Sequence, residues 1–442
     1  RGATVTPSHA VPSAAAPTAT PRSPTSTTPA PTPTVATTIE PTAEPAAAPL
    51  DAHLGVLHPE QAAPDLAALP HYVIRGTLDP PRLAGEMTLS LINGYGAALD
   101  EVVLRLYGNA RTIYTGSRME VANVEVDGQP VPVDFLLGGT ALRVPLPDPL
   151  SPGDRVTLGM SFETVIAPGP QGGYGIQQVS GNRAVFGSPF PVLPLWREGA
   201  WALTEVPGVG DAVSSPVALW DIELAVAAGL TLVSTGTTER LDGGRVRVVS
   251  GPARDVALVT LPREVLPIER VVAGLRLRYW PDGAAAAVSA ADAASIAEAA
   301  LRTFDAEFGP APYAEIDVVE AAVPIGGYEY PGLVLFDGAE RVSGDVAAID
   351  FLLPHELAHQ WFYALVGNSV TAEPWIDEGL STFAALRYLA DFRGAEAAAA
   401  RRALWERDYA AVLSRTPVGV DRPVYGYDNW VDYRGPTYYA GA

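Results

Sequence analysis

The hydrophobic pattern of this 442-residue chain changes its period near Asp282. Before that point apolar and polar residues alternate, as at residues 87–91, and turn sequences such as Asp127-Gly128 and Asp242-Gly-Gly244 separate the runs. Alternation with a period of two is typical of half-buried β-strands. After it, longer stretches with helical spacing are interspersed with short apolar runs. The pattern predicts an α+β, multidomain protein: an N-terminal antiparallel β domain at residues 67–282, a saddle or sandwich, followed by a domain of helices and strands at residues 283–442.

Residues 1–66 consist largely of Pro, Ala, Thr and Ser and show no amphipathic period. Such a segment buries too little apolar surface to fold, so we expect a disordered stalk. A stalk would hold the folded body away from a bacterial cell surface, and a plain solubilising tail is the alternative. Because the chain begins with Arg1, a signal peptide or a lipid-attachment Cys would lie upstream. We therefore expect an extracellular or cell-surface protein.

Charge and hydropathy exclude other classes of partner. The net charge of -21 argues against nucleic acid, because phosphate contacts need a basic surface. No apolar stretch reaches the roughly 18 residues that a transmembrane helix requires, so none is predicted in this chain. The chain has no Cys, which is compatible with an oxidising exterior.

A metal-binding pattern stands out at His355, Glu356 and His359, followed by Glu378. Positions i and i+4 of a helix are about 40° apart around the axis and roughly 6 Å apart along it, so both histidines can bind one ion. Of six His in the chain, only these two lie after His71. Two imidazoles, one carboxylate and an open position are typical of catalytic zinc, whereas structural zinc sites usually have four ligands, mostly Cys. Glu356 would be the general base beside the metal. The alternative is a solvated helix face.

The chain resembles the aminopeptidase N family of zinc metallopeptidases, the gluzincins. The resemblance lies in the segments 355–362 (HELAHQWF) and 375–379 (WIDEG), with 18 residues between His359 and Glu378. It extends from about residue 70 to the C-terminus and is strongest over residues 326–379.

Two further segments are similar to motifs of that family. Residues 326–330 (GGYEY) resemble its Gly-x-Met-Glu-Asn motif, with Tyr328 and Tyr330 in place of Met and Asn. Residues 438–441 (YYAG) resemble its Tyr-x-Lys-Gly motif, preceded by Tyr433, and here the Lys is absent.

The resemblance implies a saddle-shaped β domain that walls one side of the active site, and a thermolysin-like mixed α/β catalytic domain. It also implies one zinc per chain, bound by His355, His359 and Glu378. Tyr438 would donate a hydrogen bond to the oxyanion, and Tyr433 is a second candidate for that role. Glu329 would bind the free α-amino group of a peptide, with Gly326, Gly327 and Tyr328 also in the substrate site. Because the family continues beyond the last motif, we expect the catalytic domain to be truncated at Ala442.

We therefore expect a zinc aminopeptidase acting on peptides with a free N-terminus. A zinc endopeptidase on the same scaffold is one alternative, suggested by Tyr328 and Tyr330 at altered motif positions. A non-catalytic interaction module is another, a fate seen among relatives that have lost zinc ligands. The presence of all three ligands and Glu356 favours an enzyme.

Three local expectations concern the surroundings of this site. The Gly- and Pro-rich residues 167–194 are expected to form a long loop. Its aromatic side chains, among them Tyr174, could line substrate pockets, although most of them are expected to pack in the core. Residues 333–336 are expected to be an exposed edge strand that pairs with substrate. Pro354 leaves two alternatives open: the zinc helix begins there, or a longer helix from Asp345 passes through it.

Overall fold

The computed structural model describes residues 48–62, 65–169, 173–283, 285–414 and 419–442. The strands are β1 His71–Asp79, β2 Arg82–Ile92, β3 Leu99–Arg105, β4 Arg118–Val126, β5 Gln129–Pro130, β6 Asp134–Leu136, β7 Ala141–Leu150, β8 Arg155–Val165, β9 Ala167–Pro168, β10 Gln177–Ser180, β11 Arg183–Gly187, β12 Trp196–Arg197, β13 Ala200–Trp201, β14 Ala218–Val226, β15 Leu230–Ser234, β16 Thr237–Arg240, β17 Arg245–Ala253, β18 Ala257–Pro262, β19 Ile268–Val272, β20 Leu275–Trp280, β21 Glu315–Ala321, β22 Gly327–Tyr330 and β23 Leu333–Asp337. The helices are α1 Leu50–Leu54, α2 Ala290–Phe308, α3 Gly338–Ser343, α4 Val346–Ala358, α5 Trp375–Phe392, α6 Ala395–Leu413 and α7 Trp430–Arg434, and a π-helical turn spans Gly435–Ala440.

The β domain is built mainly on an eight-stranded sheet in the order β16-β17-β14-β1-β2-β8-β4-β5. A five-stranded sheet, β15-β18-β11-β10-β9, and a three-stranded sheet, β3-β7-β6, accompany it. One hydrophobic core holds residues of all three sheets, such as Ile74, Phe186 and Val102. The alternation in β8 arises because one face of the strand is buried in this core. Most neighbouring strands are antiparallel, as predicted, but β1 pairs with β14 in parallel.

The C-terminal half, which the resemblance predicts to be the catalytic half, contains a five-stranded mixed sheet, β19-β20-β21-β23-β22, together with helices α2 to α6. Its own core includes Leu277 and Ile316 from the sheet and Phe304, Leu353 and Tyr388 from α2, α4 and α5. This core fixes the positions of the two helices that carry the metal-binding pattern.

The predicted boundary between the domains at residue 282 is too late. Strands β19 and β20, assigned to the β domain from their pattern, belong to the catalytic sheet, where Leu277 pairs with Ile316 in parallel. Alternation identifies a strand but not its partner, so the pattern could not place this boundary.

The predicted stalk boundary at residue 66 is also too late. Residues 50–54 form α1, Leu57 forms a β-bridge with Tyr313, and the side chains of His53 and Val56 are buried. A few well-placed side chains attach this segment to the body, although its average composition resembles a stalk. The remainder of the predicted stalk, residues 1–47 with Ala63 and Pro64, lies outside the described residues.

The structure corrects two of the local expectations, on residues 167–194 and on the edge strand, and chooses between the two alternatives for Pro354. Residues 167–194 carry β9, β10 and β11 and so are not one long loop. Strand β23 lies between β21 and β22, so the edge strand is β22. Helix α4 begins at Val346, capped by Asp345, and continues through Pro354. In the described part of the chain, no helix is long and apolar enough to cross a membrane.

Candidate active site

Helices α4 and α5 bring the predicted metal ligands together. His355 Nε2 lies 3.1 Å from Glu378 Oε2 and 3.2 Å from His359 Nε2, and His359 Nε2 lies 3.5 Å from Glu378 Oε2. Tetrahedral zinc with bonds of 2.0 to 2.2 Å holds its ligand atoms about 3.3 Å apart. The three donor atoms are therefore arranged as a mononuclear zinc site requires.

The outer ring nitrogens of both histidines have partners of their own. His359 Nδ1 lies 3.1 Å from the Phe362 carbonyl oxygen, and His355 Nδ1 lies 3.3 Å from Thr382 Oγ1. A carbonyl can only accept, so His359 carries a proton on Nδ1, which leaves Nε2 as the atom that would bind a metal. Sequence reasoning missed Thr382, although its position one helical turn after Glu378 could have signalled it.

The electrostatics of the buried cluster favour a cation. Burial lowers the pKa of His355, whereas for His359 the Glu378 and Glu356 carboxylates overcome the effect of burial and raise the pKa to about 9. Burial opposes ionisation of Glu378 too, but its hydrogen bonds with both histidines lower its pKa to about 2. Burial raises the pKa of Glu356 to about 8. Several carboxyl groups thus surround two imidazoles, and a divalent ion would relieve their mutual repulsion.

Glu356 occupies the space that a missing side chain leaves at Gly327. A Cβ at Gly327 would collide with the Glu356 carboxyl group, so β22 can lie this close to α4 only with glycine at that position. The preceding Gly326 has a φ of +105°, a conformation that favours glycine. The two glycines therefore place β22 over the candidate general base.

Strand β22 directs Glu329 and Tyr328 to the cavity. Both side chains are buried, and both line a cavity of about 300 Å³ together with His355, Glu356, His359 and Glu378. Burial, and then the neighbouring Asp211, raise the pKa of Glu329 well above its usual range. Tyr330 differs, because its fully buried hydroxyl lies against Gly187 in the β-domain core. Of the two motif substitutions, only Tyr328 lies at the cavity.

Tyr438 and Tyr433 occupy different positions. The ring of Tyr438 stacks on His355 at a centroid distance of 5.5 Å, and its hydroxyl donates a hydrogen bond to Glu378 Oε1. Tyr433 is fully buried against Gly210, and among the described residues its hydroxyl has no hydrogen-bond partner. Tyr438 lines the cavity, and Tyr433 lies behind its wall.

Asp211 is a functional candidate that sequence reasoning missed. It lies in the segment between β13 and β14 of the β domain and lines the cavity. Burial, and then the charge of Glu378, raise the pKa of the Asp211 carboxyl group to about 7, and the side chains of Glu329 and Tyr328 oppose this rise. No motif surrounds Asp211, so only the fold brings it to the site.

The sequence is related to aminopeptidases. No protein-family model matches the chain. It is 29% identical over 124 residues to the human aminopeptidase RNPEPL1, covering 28% of this chain and 17% of that protein. It is 30% identical over 116 residues to mouse aminopeptidase B, covering 26% of this chain and 18% of that protein. It is 37% identical over 101 residues to aminopeptidase 2 of Candida albicans, covering 20% of this chain and 11% of that protein. The chain thus spans less than a fifth of each of these curated relatives.

The fold is similar to that of solved M1 zinc metallopeptidases. For the enzyme from Deinococcus radiodurans the TM-score is 0.56 at 21% identity, over 83% of this chain and 80% of that one. A structure of a mutant of that enzyme with a Tyr-Ser-Ala substrate gives a TM-score of 0.55 at 22% identity, over 83% of this chain and 80% of that one. These likenesses show that the chain shares the fold of M1 zinc metallopeptidases. Together with the sequence relationship, they confirm the predicted resemblance to the aminopeptidase N-like family.

Proposed function

We propose that the protein is a zinc aminopeptidase that removes N-terminal residues from peptides, with one catalytic zinc per chain. The observation that carries the proposal is the convergence of the His355, His359 and Glu378 donor atoms, 3.1 to 3.5 Å apart. Glu356 lines the same cavity. Three ligands with a fourth position open to substrate is the arrangement of a catalytic zinc.

In this proposal each side chain has a separate task. Bound zinc would polarise the scissile carbonyl and lower the pKa of the attacking water. Glu356 accepts a proton from that water and passes it to the leaving amine. Burial raises the pKa of Glu356 to about 8, and the charge of a bound zinc ion would favour its ionised form, which is the form that accepts a proton.

Recognition of the peptide N-terminus falls to Glu329 with Asp211. The two carboxyl groups line one buried cavity, and the charge of Asp211 raises the pKa of Glu329, so ionising both without a cation is unfavourable. The ammonium group of a substrate supplies that cation and permits both to ionise. An N-acetylated peptide has no ammonium group and cannot supply this cation. Glu329 and Asp211 would therefore favour cleavage at a free N-terminus over cleavage within a chain.

Tyr438 has two roles within this proposal. In the free protein its hydroxyl fixes the orientation of Glu378. Because it lies beside the ligand set, we assign to it also the hydrogen bond to the oxyanion that forms during hydrolysis. Tyr433 supports the cavity wall from behind by packing against Gly210.

We further propose that the protein works outside a bacterial cell or attached to its surface. The support is the Pro-, Ala- and Thr-rich composition of residues 1–47, which suits a stalk. Cell fractionation with an antibody against the folded part tests this, and recovery from the cytoplasm alone would contradict it.

Zinc content and peptidase activity, measured on one preparation, test the main proposal. We expect one catalytic zinc, which His359→Ala and Glu378→Ala both lose together with hydrolysis of aminoacyl anilides. His58→Ala, a change at a buried His that lies outside the candidate site, is the matched control. Unchanged metal content in both ligand variants would remove the site assignment.

A further inference from the structure

We propose that His53, His71 and Asp221 form a second metal site, which binds a divalent cation such as Zn²⁺ independently of the catalytic centre. His53 lies in α1, His71 begins β1, and Asp221 lies in β14. In the parallel pair of strands, Asp221 is opposite Val73, two residues beyond His71. His71 and Asp221 therefore share a face of the sheet, and α1 places His53 against it.

The donor atoms are as close together as a metal site needs. His71 Nε2 lies 2.8 Å and His53 Nε2 lies 3.7 Å from Asp221 Oδ2. These separations lie on either side of the roughly 3.3 Å between ligand atoms of tetrahedral zinc. The two imidazole rings are perpendicular, with centroids 5.5 Å apart. The ligand atoms of the three residues all lie within 4.8 Å of one another, so one cation can be bound once they adjust to about 3.3 Å apart.

Two buried atoms of this cluster lack a partner. His53 is fully buried, and its Nδ1 lies 2.9 Å from the Ser250 carbonyl oxygen, to which it must donate. The His53 Nε2 atom therefore holds a lone pair, and within the described residues it has no hydrogen-bond partner. The same holds for Asp221 Oδ1. Burying two unsatisfied acceptors in one cluster is unfavourable, and a bound cation would satisfy the lone pair of His53 Nε2.

The neighbouring groups leave these atoms available. The Ala48 N–H donates to Asp221 Oδ2 at 2.8 Å, but nothing comparable reaches Oδ1 in the described chain. The Arg247 guanidinium lies 4.0 Å from Oδ1, which is too far for a hydrogen bond, and that of Arg75 donates to the backbone carbonyl of Asp221 at 3.4 Å. The two positive charges weaken cation binding without blocking the position.

Two imidazoles with one carboxylate suit zinc, cobalt or nickel better than magnesium or calcium, which prefer oxygen ligands. The site would join the segment 48–62 to the eight-stranded sheet. Its role would be structural, because none of the three residues lines the catalytic cavity as described.

Zinc stoichiometry tests the proposal on the full chain. Protein stripped with a chelator, saturated with zinc and gel-filtered should carry two zinc ions, as measured by mass spectrometry of the metal. His71→Gln and Asp221→Asn should each carry one and retain peptidase activity. His58→Gln is the matched control, a second buried His nearby in sequence, and should carry two.

A thermal measurement isolates the second site from the first. In a His359→Ala background, which removes a proposed catalytic ligand, added zinc should still raise the melting temperature. It should not do so in the His359→Ala/His71→Gln double variant. If the proposed catalytic site fails, a zinc sensitive to His71→Gln but not to Glu378→Ala would still support the second site. Two results would overturn the second site. One is a parent protein with a single zinc that only Glu378→Ala removes. The other is a second zinc that persists in both His71→Gln and Asp221→Asn.

Discussion

The hydroxyl of Tyr438 donates a hydrogen bond to Glu378 Oε1, while Glu378 Oε2 faces His355 and His359. The two carboxylate oxygens of Glu378 thus have different partners: Oε2 faces the two histidines, and Oε1 accepts a hydrogen bond from Tyr438. Because the Tyr438 ring also stacks on His355, it contacts two of the three candidate ligands. It is placed to tune the metal site as well as to contact the substrate.

Replacing Tyr438 with Phe tests both roles. Partners of metal ligands typically contribute about 10- to 100-fold to metal affinity, so we expect Tyr438→Phe to weaken zinc binding by that order. At saturating zinc we expect kcat to fall far more than KM rises, because the oxyanion forms only in the transition state. Chelator competition measures the first effect and steady-state kinetics the second.

The control for this prediction is Tyr433→Phe. The Tyr433 hydroxyl has no partner among the described residues, so its loss should leave both quantities nearly unchanged. An effect of Tyr438→Phe on KM alone would contradict the oxyanion role.

Glu356→Gln should retain zinc and lose activity. The amide keeps the shape of the side chain but cannot accept the proton, and general base catalysis typically contributes about 10²- to 10⁴-fold. Metal analysis and kcat on an aminoacyl anilide are the measurements. Near-normal turnover would exclude Glu356 as the base.

Gly327→Ala should lower activity without removing zinc. The new methyl group would collide with the Glu356 carboxyl group and displace it, while the three metal ligands keep their positions. We expect kcat to fall by at least about tenfold, since a displacement of 1 Å at a reacting group can cost about 100-fold. Gly94→Ala is the matched control, because a Cβ there meets no atom of the described chain within 4 Å. Equal activity of the two variants would contradict the close contact.

Glu329→Gln and Asp211→Asn should each reduce the preference for free N-termini. Loss of one partner of a buried charge pair costs about 2 to 5 kcal/mol, and we expect this loss in kcat/KM for free peptides only. The assay compares one peptide with its N-terminus free and acetylated. Equal cleavage of both forms by the parent protein would favour the endopeptidase alternative.

The sequence was most informative where one element supplies the chemistry. The spacing of His355, Glu356 and His359 within one helix is local, so geometry alone predicted their convergence. Asp211 could not be found in this way, because it reaches Glu329 only through the packing of the β domain on the catalytic half. The same limit applies to β20, whose alternation predicted a strand but whose partner, β21, is distant in sequence.

The cavity is assembled from both halves of the molecule, with Asp211 and Tyr174 supplied by the β domain and the metal-binding side chains by α4 and α5. In the proposed function, selection of a peptide end therefore draws on both halves, with Asp211 in the β domain and Glu329 on β22 of the mixed sheet. We expect substitutions in the segment between β13 and β14 to change which peptides are accepted without displacing the metal-binding side chains. On this proposal, substrate specificity can change during evolution while the metal-binding residues and the general base stay the same.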